Sequence, residues 1–144
     1  MECKITAGEA NIAYQLALAI PEFTDSLPRA KFNDRIRQTD AVILVVYVDD
    51  QPVGFKIGYQ RTEGAFYSWL GAVLPSHRNL GLAKDLAFRM EAHARLLGYR
   101  KIWMKTRNRF TVMLHFAIRN GFLITAVEKA ESADQNKIIL EKKL

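Results

Sequence analysis

The stretch from Val73 to Leu86, VLPSHRNLGLAKDL, constrains the fold most, because it joins a strand pattern to a helix pattern within a few residues. Residues 65–74 are apolar and aromatic, which is typical of a strand. Residues 81–97 carry leucines, alanines and a methionine at helical spacing, and Gly98 is a favoured helix stop. A further strand pattern over 100–106 completes a strand-helix-strand unit at the centre of the chain.

The segments on either side of this unit predict an α+β fold. Ahead of it lie a short strand, two helices and two strands that form an antiparallel meander with 65–74; after it come one helix and a closing hairpin. The predicted ranges are 4–6, 9–20, 28–38, 41–48 and 53–60 ahead of the unit, and 109–120, 122–129 and 137–144 after it. We therefore expect a mixed central sheet with helices on both faces. Because no linker or repeat interrupts the 144 residues, we expect a single domain, 1–144.

Composition limits the location and the partners of the protein. The single cysteine, Cys3, cannot form an internal disulfide, and no apolar run is long enough to span a membrane. The N-terminus lacks a signal-peptide pattern, so we expect a cytoplasmic protein without a membrane partner. The net charge of +6 favours anionic ligands, but basic residues are spread along the chain, so we expect no nucleic-acid partner. We also expect no metal, since His77, His93 and His115 lack metal-ligand spacing.

The start of the 81–97 helix has the features of an anion site. Unpaired N–H groups in a first helical turn and the helix dipole both favour a negative charge. Gly81 lets the backbone approach a ligand, Ala83 is the next smallest residue, and Arg78 and Lys84 add positive charge. The pattern predicts a pyrophosphate site. The alternative is a loop with a helix-start glycine and surface charges.

The motif differs from the dinucleotide fingerprint and from the P-loop, because neither full glycine pattern occurs. Residues 73–83, VLPSHRNLGLA, instead resemble the core motif of the GNAT superfamily of acetyl-CoA-dependent N-acetyltransferases. In that motif a strand ending V-x-P leads to Gln or Arg, two variable residues, Gly, one variable residue, and Gly or Ala at a helix start. NGF at 120–122, after a helix that follows Asn108, resembles the second motif of the family. The element order also matches, so the resemblance covers nearly the whole chain.

The resemblance implies acetyl-CoA as the acyl donor and a small-molecule or peptide amine as the acceptor. In the family the fourth and fifth strands separate, the thioester lies in the gap, and the amine enters from the side of the first two helices. Backbone groups of Ala72 and Val73 would bind the pantetheine arm, and Asn108 would lie near it. The pyrophosphate would be held by the side chain of Arg78 and by the amides of Asn79, Leu80, Gly81, Leu82, Ala83 and Lys84.

Acetyl transfer by direct attack in a ternary complex needs donors for the oxyanion and an acid for the leaving thiolate. A backbone N–H of residues 70–73 is the candidate oxyanion donor. Many members of the family supply the acid from a Tyr four residues before the Gly-Phe pair, and that position here is Ala117. Counting forward from Asn108 reaches His115 instead, which we expect to be a surface or packing residue. Either the thiolate leaves without a fixed acid, or another residue serves.

Two residues are candidates for catalysis. Tyr67 lies six residues before Val73, where some members of the family have a carboxylate base. A phenol is a poor base at neutral pH, so Tyr67 would order a water or donate to the leaving group; the alternative is a packing role. Glu22 is the carboxylate expected at the amine entrance; the alternative is a solvated loop acid. An acidic wall there would favour a cationic amine, its candidates being Glu22, Asp25, Asp34 and Glu63.

Two other classes of function remain open from the sequence. The absence of a Tyr at position 117 is compatible with a non-catalytic acyl-CoA-binding or sensor module. The net charge is compatible with a nucleic-acid-binding domain, whose affinity would fall with salt. A homodimer is an expectation from the family alone.

Overall fold

One mixed sheet runs through the residues that the computed structural model describes, which are 1–23, 27–37 and 40–144. Its seven strands are β1 (Cys3–Ala7), β2 (Val42–Val48), β3 (Gln51–Thr62), β4 (Ala65–Val73), β5 (Lys101–Arg107), β6 (Leu123–Glu128) and β7 (Lys137–Lys143). The α-helices of these residues are α1 (Ala10–Leu18), α2 (Arg29–Arg37), α3 (Leu82–Leu96) and α4 (Thr111–Arg119). The predicted fold class and element order are confirmed, and no predicted end lies more than two residues from the observed one.

The strand-helix-strand unit supplies the parallel pairing of a sheet ordered β1-β2-β3-β4-β5-β7-β6. β2, β3 and β4 form the predicted antiparallel meander, and α3 then carries the chain to β5. β4 and β5 pair over three positions only, the last of which joins Tyr67 to Trp103. β4 continues to Val73 without β5 beside it. The two strands therefore diverge, and we call the gap between them the split.

Helices cover both faces of the sheet, as the sequence predicts. α3 and α4 pack on one face, where Leu44 and Val46 of β2 lie in the core. α1 and α2 pack on the other face, where Val45 of the same strand is buried. A strand covered on both faces is apolar at successive positions, which explains the unbroken VILVVYV run of β2.

Two β-bulges interrupt the pairing of β3 with β4. Trp69 of β4 and Arg61 of β3 each lie between consecutive residue pairs and have no residue opposite. A bulge bends its strand and changes the direction of the extra side chain. The flanking pairs are Leu70–Ile57 and Ser68–Gly58 around Trp69, and Phe66–Gln60 and Ala65–Thr62 around Arg61.

In the C-terminal hairpin of β6 and β7, the second strand lies inside the sheet and the first lies at its edge. β7 lies between β5 and β6, so β6 forms the edge of the sheet. Every residue of β6 is exposed, including Leu123, Ile124 and Val127, which are at least 50% exposed. Across the described residues, none of the helices has the length and apolarity needed to cross a membrane.

Gly58 lies where β3 passes the buried ring of Phe66, and a methyl group at Gly58 would overlap that ring. We expect Gly58→Ala to lower the free energy of unfolding by about 1–3 kcal/mol, the usual cost of overpacking a core. Urea unfolding measures this loss. Gly58→Ala should cost less in a Phe66→Leu background, where the ring is gone. Equal costs in the two backgrounds would rule out the overlap as the cause.

Candidate functional site

Backbone groups of Gly71 and Val73 line the open edge of β4. The Leu74 N–H donates to the Val53 carbonyl at 2.8 Å, so Val73 belongs to a non-hydrogen-bonded pair of the ladder with β3. Alternate residues then direct their N–H and C=O groups toward β3 and toward the split. Those of Val73 and Gly71 point to the split, whereas those of Ala72 bond to β3. This corrects the expectation for Ala72, whose place Gly71 takes.

The turn that follows β4 leads to the start of α3, residues Gly81 to Lys84, which we call the helix mouth. The first N–H groups of α3 are not hydrogen-bonded within the helix. Asn79 and Gly81 have positive φ values of 65° and 82°, and Gly81 is the N-cap of α3. No side chain caps α3, and its first backbone bond runs from the Asp85 N–H to the Gly81 carbonyl at 3.1 Å. The N–H groups ahead of that bond have no partner within the helix, and they belong to Leu82, Ala83 and Lys84.

The surroundings of this mouth fit a phosphate group. Apart from Gly81 itself and the chain next to it, the described residues place no atom within 4 Å of the point where a side chain of Gly81 would begin, so the approach is open. Leu80, Ala83 and Lys84 are exposed, whereas the Leu82 side chain is buried and leaves only its amide at the mouth. Asp85, the acid of the first turn, borders a shallow hollow on the side of β1.

Arg78 and Glu22 form an ion pair beside this mouth. Arg78 Nη2 lies 3.1 Å from Glu22 Oε2, and Arg78 Nε donates to the Val73 carbonyl at 3.0 Å. Glu22 lies in a short 3-10 turn, Pro21–Phe23. Both side chains are about 40% exposed, so solvent screens their attraction. The structure therefore brings Glu22 to the end of β4 where Arg78 lies. Tyr67 lies six residues before Val73 in β4, which corresponds to about 20 Å along an extended strand.

Tyr67 marks the closed end of the split, which we call the apex. Its ring is 4% exposed and lies 4.5 Å, between centroids, from that of Trp103. The Arg61 guanidinium lies 5.0 Å from the Tyr67 ring centroid. Burial raises the pKa of the Tyr67 phenol above its ordinary value of 10.0, although the charges of Arg61 and Arg35 oppose this. The phenol therefore keeps its proton at neutral pH and can donate a hydrogen bond.

A second arginine lies on the same aromatic cluster. Arg35 of α2 donates from Nη1 to the Tyr59 hydroxyl at 3.2 Å, and its guanidinium lies 5.2 Å from the Trp69 ring centroid. The Tyr59 and Tyr67 rings are 5.5 Å apart between centroids, so the arginines border one cluster. Sequence analysis missed both arginines. Alternation along β3 would have put Arg61 on the face of Tyr59, but no pattern links Arg35 of α2 to these rings.

The remaining expected residues lie elsewhere. Ala117 of α4 is buried in the core on the face that α3 and α4 cover, whereas His115 is exposed, as expected. Asn108 follows β5 and donates from Nδ2 to the Ala133 carbonyl at 3.1 Å, so its side chain joins two turns. Asp34 and Glu63 are exposed, on α2 and in the β3–β4 turn. Asp25 lies outside the described residues.

Lys56 is a further residue that sequence analysis missed. It pairs with Gly71 across β3 and β4, and its stem passes over that glycine. Burial lowers the pKa of the Lys56 ammonium to about 8, and the charge of Glu91 opposes this. Glu91 is itself 2.8 Å from Lys142 Nζ and 3.8 Å from Arg95 Nη2. Because Gly71 has no side chain, the stem of Lys56 fits over it on the face of the sheet that α3 covers. The lowered pKa means that the Lys56 ammonium loses its proton more easily than an ordinary lysine does.

The fold has close parallels among known proteins. A model of the acetyltransferase (GNAT) family matches residues 11–122. No curated protein matches the chain. Ard1 from Thermoplasma volcanium superposes with a TM-score of 0.88 at 19% identity, over 100% of this chain and 99% of that one.

Two further structures with a similar fold contain the coenzyme. A GNAT family acetyltransferase from Elizabethkingia anophelis, with acetyl-CoA bound, has a TM-score of 0.82 at 18% identity, over 99% of this chain and 98% of that one. The PaiA N-acetyltransferase from Thermoplasma acidophilum, in complex with coenzyme A, has a TM-score of 0.74 at 15% identity, over 100% of both chains. At these identities the likeness is one of fold.

The lowered pKa of Lys56 makes stability depend on pH. Between pH 8 and 10.5 the unfolded chain binds a proton at Lys56 that the folded chain has lost. We therefore expect the unfolding free energy of the wild type, relative to Lys56→Met, to rise with pH through this window and to be constant below it. Urea unfolding across the window measures the difference. Lys129→Met, in an exposed turn, is the control. A flat difference for Lys56→Met would contradict the buried ammonium.

Proposed function

This chain belongs to the GNAT acetyltransferase family, and we propose that it transfers an acetyl group from acetyl-CoA to a primary amine by direct attack in a ternary complex. One observation carries the proposal: the uncapped mouth of α3 opens at the end of a β4 edge that has no neighbouring strand. Direct attack is supported by the position of Cys3, the single thiol of the chain, on β1 and far from β5 in the strand order.

We propose that a single domain, 1–144, holds the coenzyme along the split. Backbone groups of Gly71 and Val73 bind the pantetheine arm as an added strand would. Arg78 and the amides of Asn79 to Lys84 bind the pyrophosphate. Asn108 contributes to the coenzyme arm only if its bond to Ala133 opens. Acetyl-CoA supplies the acetyl group as a thioester.

For Glu22 we propose a positioning role in place of catalysis. Its carboxylate holds the Arg78 guanidinium at the end of β4, within reach of the helix mouth. A pyrophosphate would compete with Glu22 for the same guanidinium, which binds phosphate oxygens well. Glu22 therefore orders Arg78 before the coenzyme binds.

For Tyr67 we propose a hydrogen-bond donor at the apex. In the reaction the amine nitrogen forms a bond to the carbonyl carbon, the carbon–sulfur bond breaks, the amine proton passes to water, and the thiolate takes up a proton. The Tyr67 phenol, neutral because burial raises its pKa, can supply that proton directly or through a water. With this role, Tyr67 would replace the acid that many members of the family supply from a Tyr at the position of Ala117.

A second candidate function is a non-catalytic acyl-CoA-binding module. The observation that favours it is Ala117, whose methyl group lies buried where many relatives carry the acidic Tyr. Such a module would bind acetyl-CoA and release no CoA thiol with any amine.

The remaining expectations stay predictions. We propose a cytoplasmic protein that acts on a small-molecule or peptide amine and binds neither metal nor nucleic acid. The expected homodimer now has a candidate surface, because an exposed apolar edge strand can pair with its symmetry mate. That surface is β6, with Leu123, Ile124 and Val127.

Coenzyme binding should depend on the helix mouth. We expect Arg78→Ala to weaken CoA binding by about 1–3 kcal/mol, the range for a hydrogen bond to a charged group. Ala83→Glu should weaken it more, because a carboxylate would stand against the phosphates. Calorimetric titration of CoA measures both, with the exposed Arg119→Ala and Ala130→Glu as matched controls. Unchanged affinity in Ala83→Glu would exclude the mouth as the pyrophosphate site.

Turnover should depend on the Tyr67 hydroxyl. We expect Tyr67→Phe to lower kcat by about 100-fold or more, as for loss of a general acid, and to leave CoA affinity unchanged. Initial rates of CoA thiol release in the presence of a reactive amine measure kcat for the wild type and the variant. Tyr99→Phe is the control, because that hydroxyl donates to Gln60 on the opposite face of the sheet. An unchanged kcat would assign Tyr67 to packing alone.

A further inference from the structure

We propose that Lys56 is a site of self-acetylation, at which the side-chain amine takes the acetyl group from acetyl-CoA bound in the split. The inference rests on the proposed binding of acetyl-CoA. It goes beyond transfer to a free amine, because it names a residue of the chain itself as an acceptor. Lys56 lies on β3, next to β4 in the sheet, and the proposed transfer to a free amine gives it no role.

The register places Lys56 beside the open edge of β4. Lys56 is paired with Gly71, two positions from the Gly54–Val73 pair, so both are non-hydrogen-bonded pairs, in which the two backbones approach most closely. A methyl group on Gly71 would lie 3.2 Å from Lys56 Cγ, so the lysine stem runs over the glycine. Three more bonds carry Nζ up to about 4 Å beyond Cγ. A strand beside β4 would lie about 4.8 Å away, so Nζ can reach the split.

The same glycine is the contact that best fits the thioester. The N–H groups of Gly71 and Val73 both point to the split and can donate to a carbonyl. Val73 lies beside Arg78, which we assign to the pyrophosphate end of the coenzyme. Gly71 lies about 7 Å further along the strand, away from the helix mouth. Because the pantetheine arm separates the pyrophosphate from the thioester, the carbonyl fits at Gly71, beside the amine of Lys56.

The amine of Lys56 is not held in an ion pair with any described residue. Glu91 of α3 is the acid whose charge acts on Lys56, but its carboxylate binds Lys142 at 2.8 Å and Arg95 at 3.8 Å. Lys56 Nζ has no carboxylate oxygen of the described residues within 4 Å. The amine is therefore free to turn toward a ligand in the split.

The protonation of Lys56 favours attack on a thioester. Burial lowers the pKa of its ammonium to about 8, yet part of the side chain stays in contact with solvent. At pH 7.5 the fraction of neutral amine is then roughly two orders of magnitude larger than for an ordinary lysine. A lysine amine becomes an effective nucleophile when its pKa is lowered in this way.

The reaction needs no further reactant. The Lys56 nitrogen forms a bond to the carbonyl carbon, the carbon–sulfur bond breaks, the amine proton passes to water, and the thiolate takes up a proton. The product is an amide, which does not pass the acetyl group on, so Lys56 is an end point and not an intermediate. Lys56 lies opposite Leu44 of β2, on the face that α3 covers. The resemblance brings a free amine from the other face, so the two acceptors approach the split from opposite sides.

The test measures acetylation of the wild-type protein in the absence of an acceptor amine. Acetyl-CoA with a deuterated acetyl group separates new modification from any already present, and chymotryptic digestion with mass spectrometry gives the rate at each lysine. At a concentration equal to the Kd of acetyl-CoA, we expect Lys56 to be modified at least tenfold faster than the exposed Lys129. The rate at Lys56 should saturate with half-saturation at the calorimetric Kd. The rate at Lys129 should rise in proportion to concentration.

Competition and a variant test whether the bound coenzyme is the donor. Excess CoA should block modification of Lys56 and leave that of Lys129 unchanged. At the same acetyl-CoA concentration, Ala83→Glu should slow Lys56 at least fivefold, because it weakens coenzyme binding, whereas the exposed Ala130→Glu should have no effect. Equal rates at the two lysines, a rate at Lys56 that never saturates, or modification that survives excess CoA would each overturn the proposal.

The outcomes also separate self-acetylation from transfer to a free amine. Saturable, CoA-sensitive modification of Lys56, without turnover of any amine in a panel, would support the self-acetylation site and refute the transfer. Turnover of a free amine with Lys56 unmodified would support the transfer and refute the site. Absence of acetyl-CoA binding in the titration would refute both.

Discussion

Pairing between β4 and β5 stops after three residue pairs, and the rest of the site depends on that stop. Backbone N–H and C=O groups need partners, and in the split Gly71 and Val73 have no neighbouring strand, although the Val73 carbonyl accepts a hydrogen bond from Arg78 Nε. A ligand with amide groups along its length can occupy this edge as a strand would. The turn after Val73 then leads directly to the uncapped start of α3, so one stretch of chain provides an extended edge and an anion site in sequence.

The two bulges in the β3–β4 pairing determine which side chains surround the apex. Without the extra residue at Trp69, side chains would alternate between the two faces of the sheet along the whole of β4, and the strand would not bend. With it, the consecutive residues Trp69 and Leu70 both pack on the face that α1 and α2 cover, and Trp69 contacts Tyr59. The bulge at Arg61 leaves that residue without a residue opposite on β4, and its guanidinium lies over the rings of Tyr67 and Trp103. The local irregularities of the sheet thus concentrate aromatic and positive groups at the closed end of the split.

Charge is organised differently at the two ends of β4. At the open end, Arg78 is balanced by Glu22, and the bare amides of α3 supply the remaining positive potential. At the apex, Arg35 and Arg61 surround a phenol that burial keeps neutral. On the opposite face of the sheet, Lys56 lies against Gly71 with a lowered pKa, near the buried Glu91. The net charge of +6 therefore includes local groups with distinct roles, and the total does not reveal them.

The sequence by itself determined the order of the elements, the helix mouth and the family. Each of these depends on neighbours along the chain: alternation in β3, helical spacing in α3, and the run from Val73 to Ala83. The open edge of β4 was implied by the resemblance, although only the register of β3 against β4 showed that Gly71, and not Ala72, faces the split.

The tertiary structure decided which side chains meet. It paired Glu22 with Arg78 and brought Arg35 to Tyr59. These contacts join residues that are tens of positions apart in the sequence. The sheet also contains bulges, and a bulge shifts the facing of every later residue relative to its partner strand. Periodicity reports the facing of residues within one element, but not the register or the packing between elements. For that reason the motif at the start of α3 was readable from the chain, whereas the contacts of Arg35 and Arg61 with the aromatic rings became visible only in the fold.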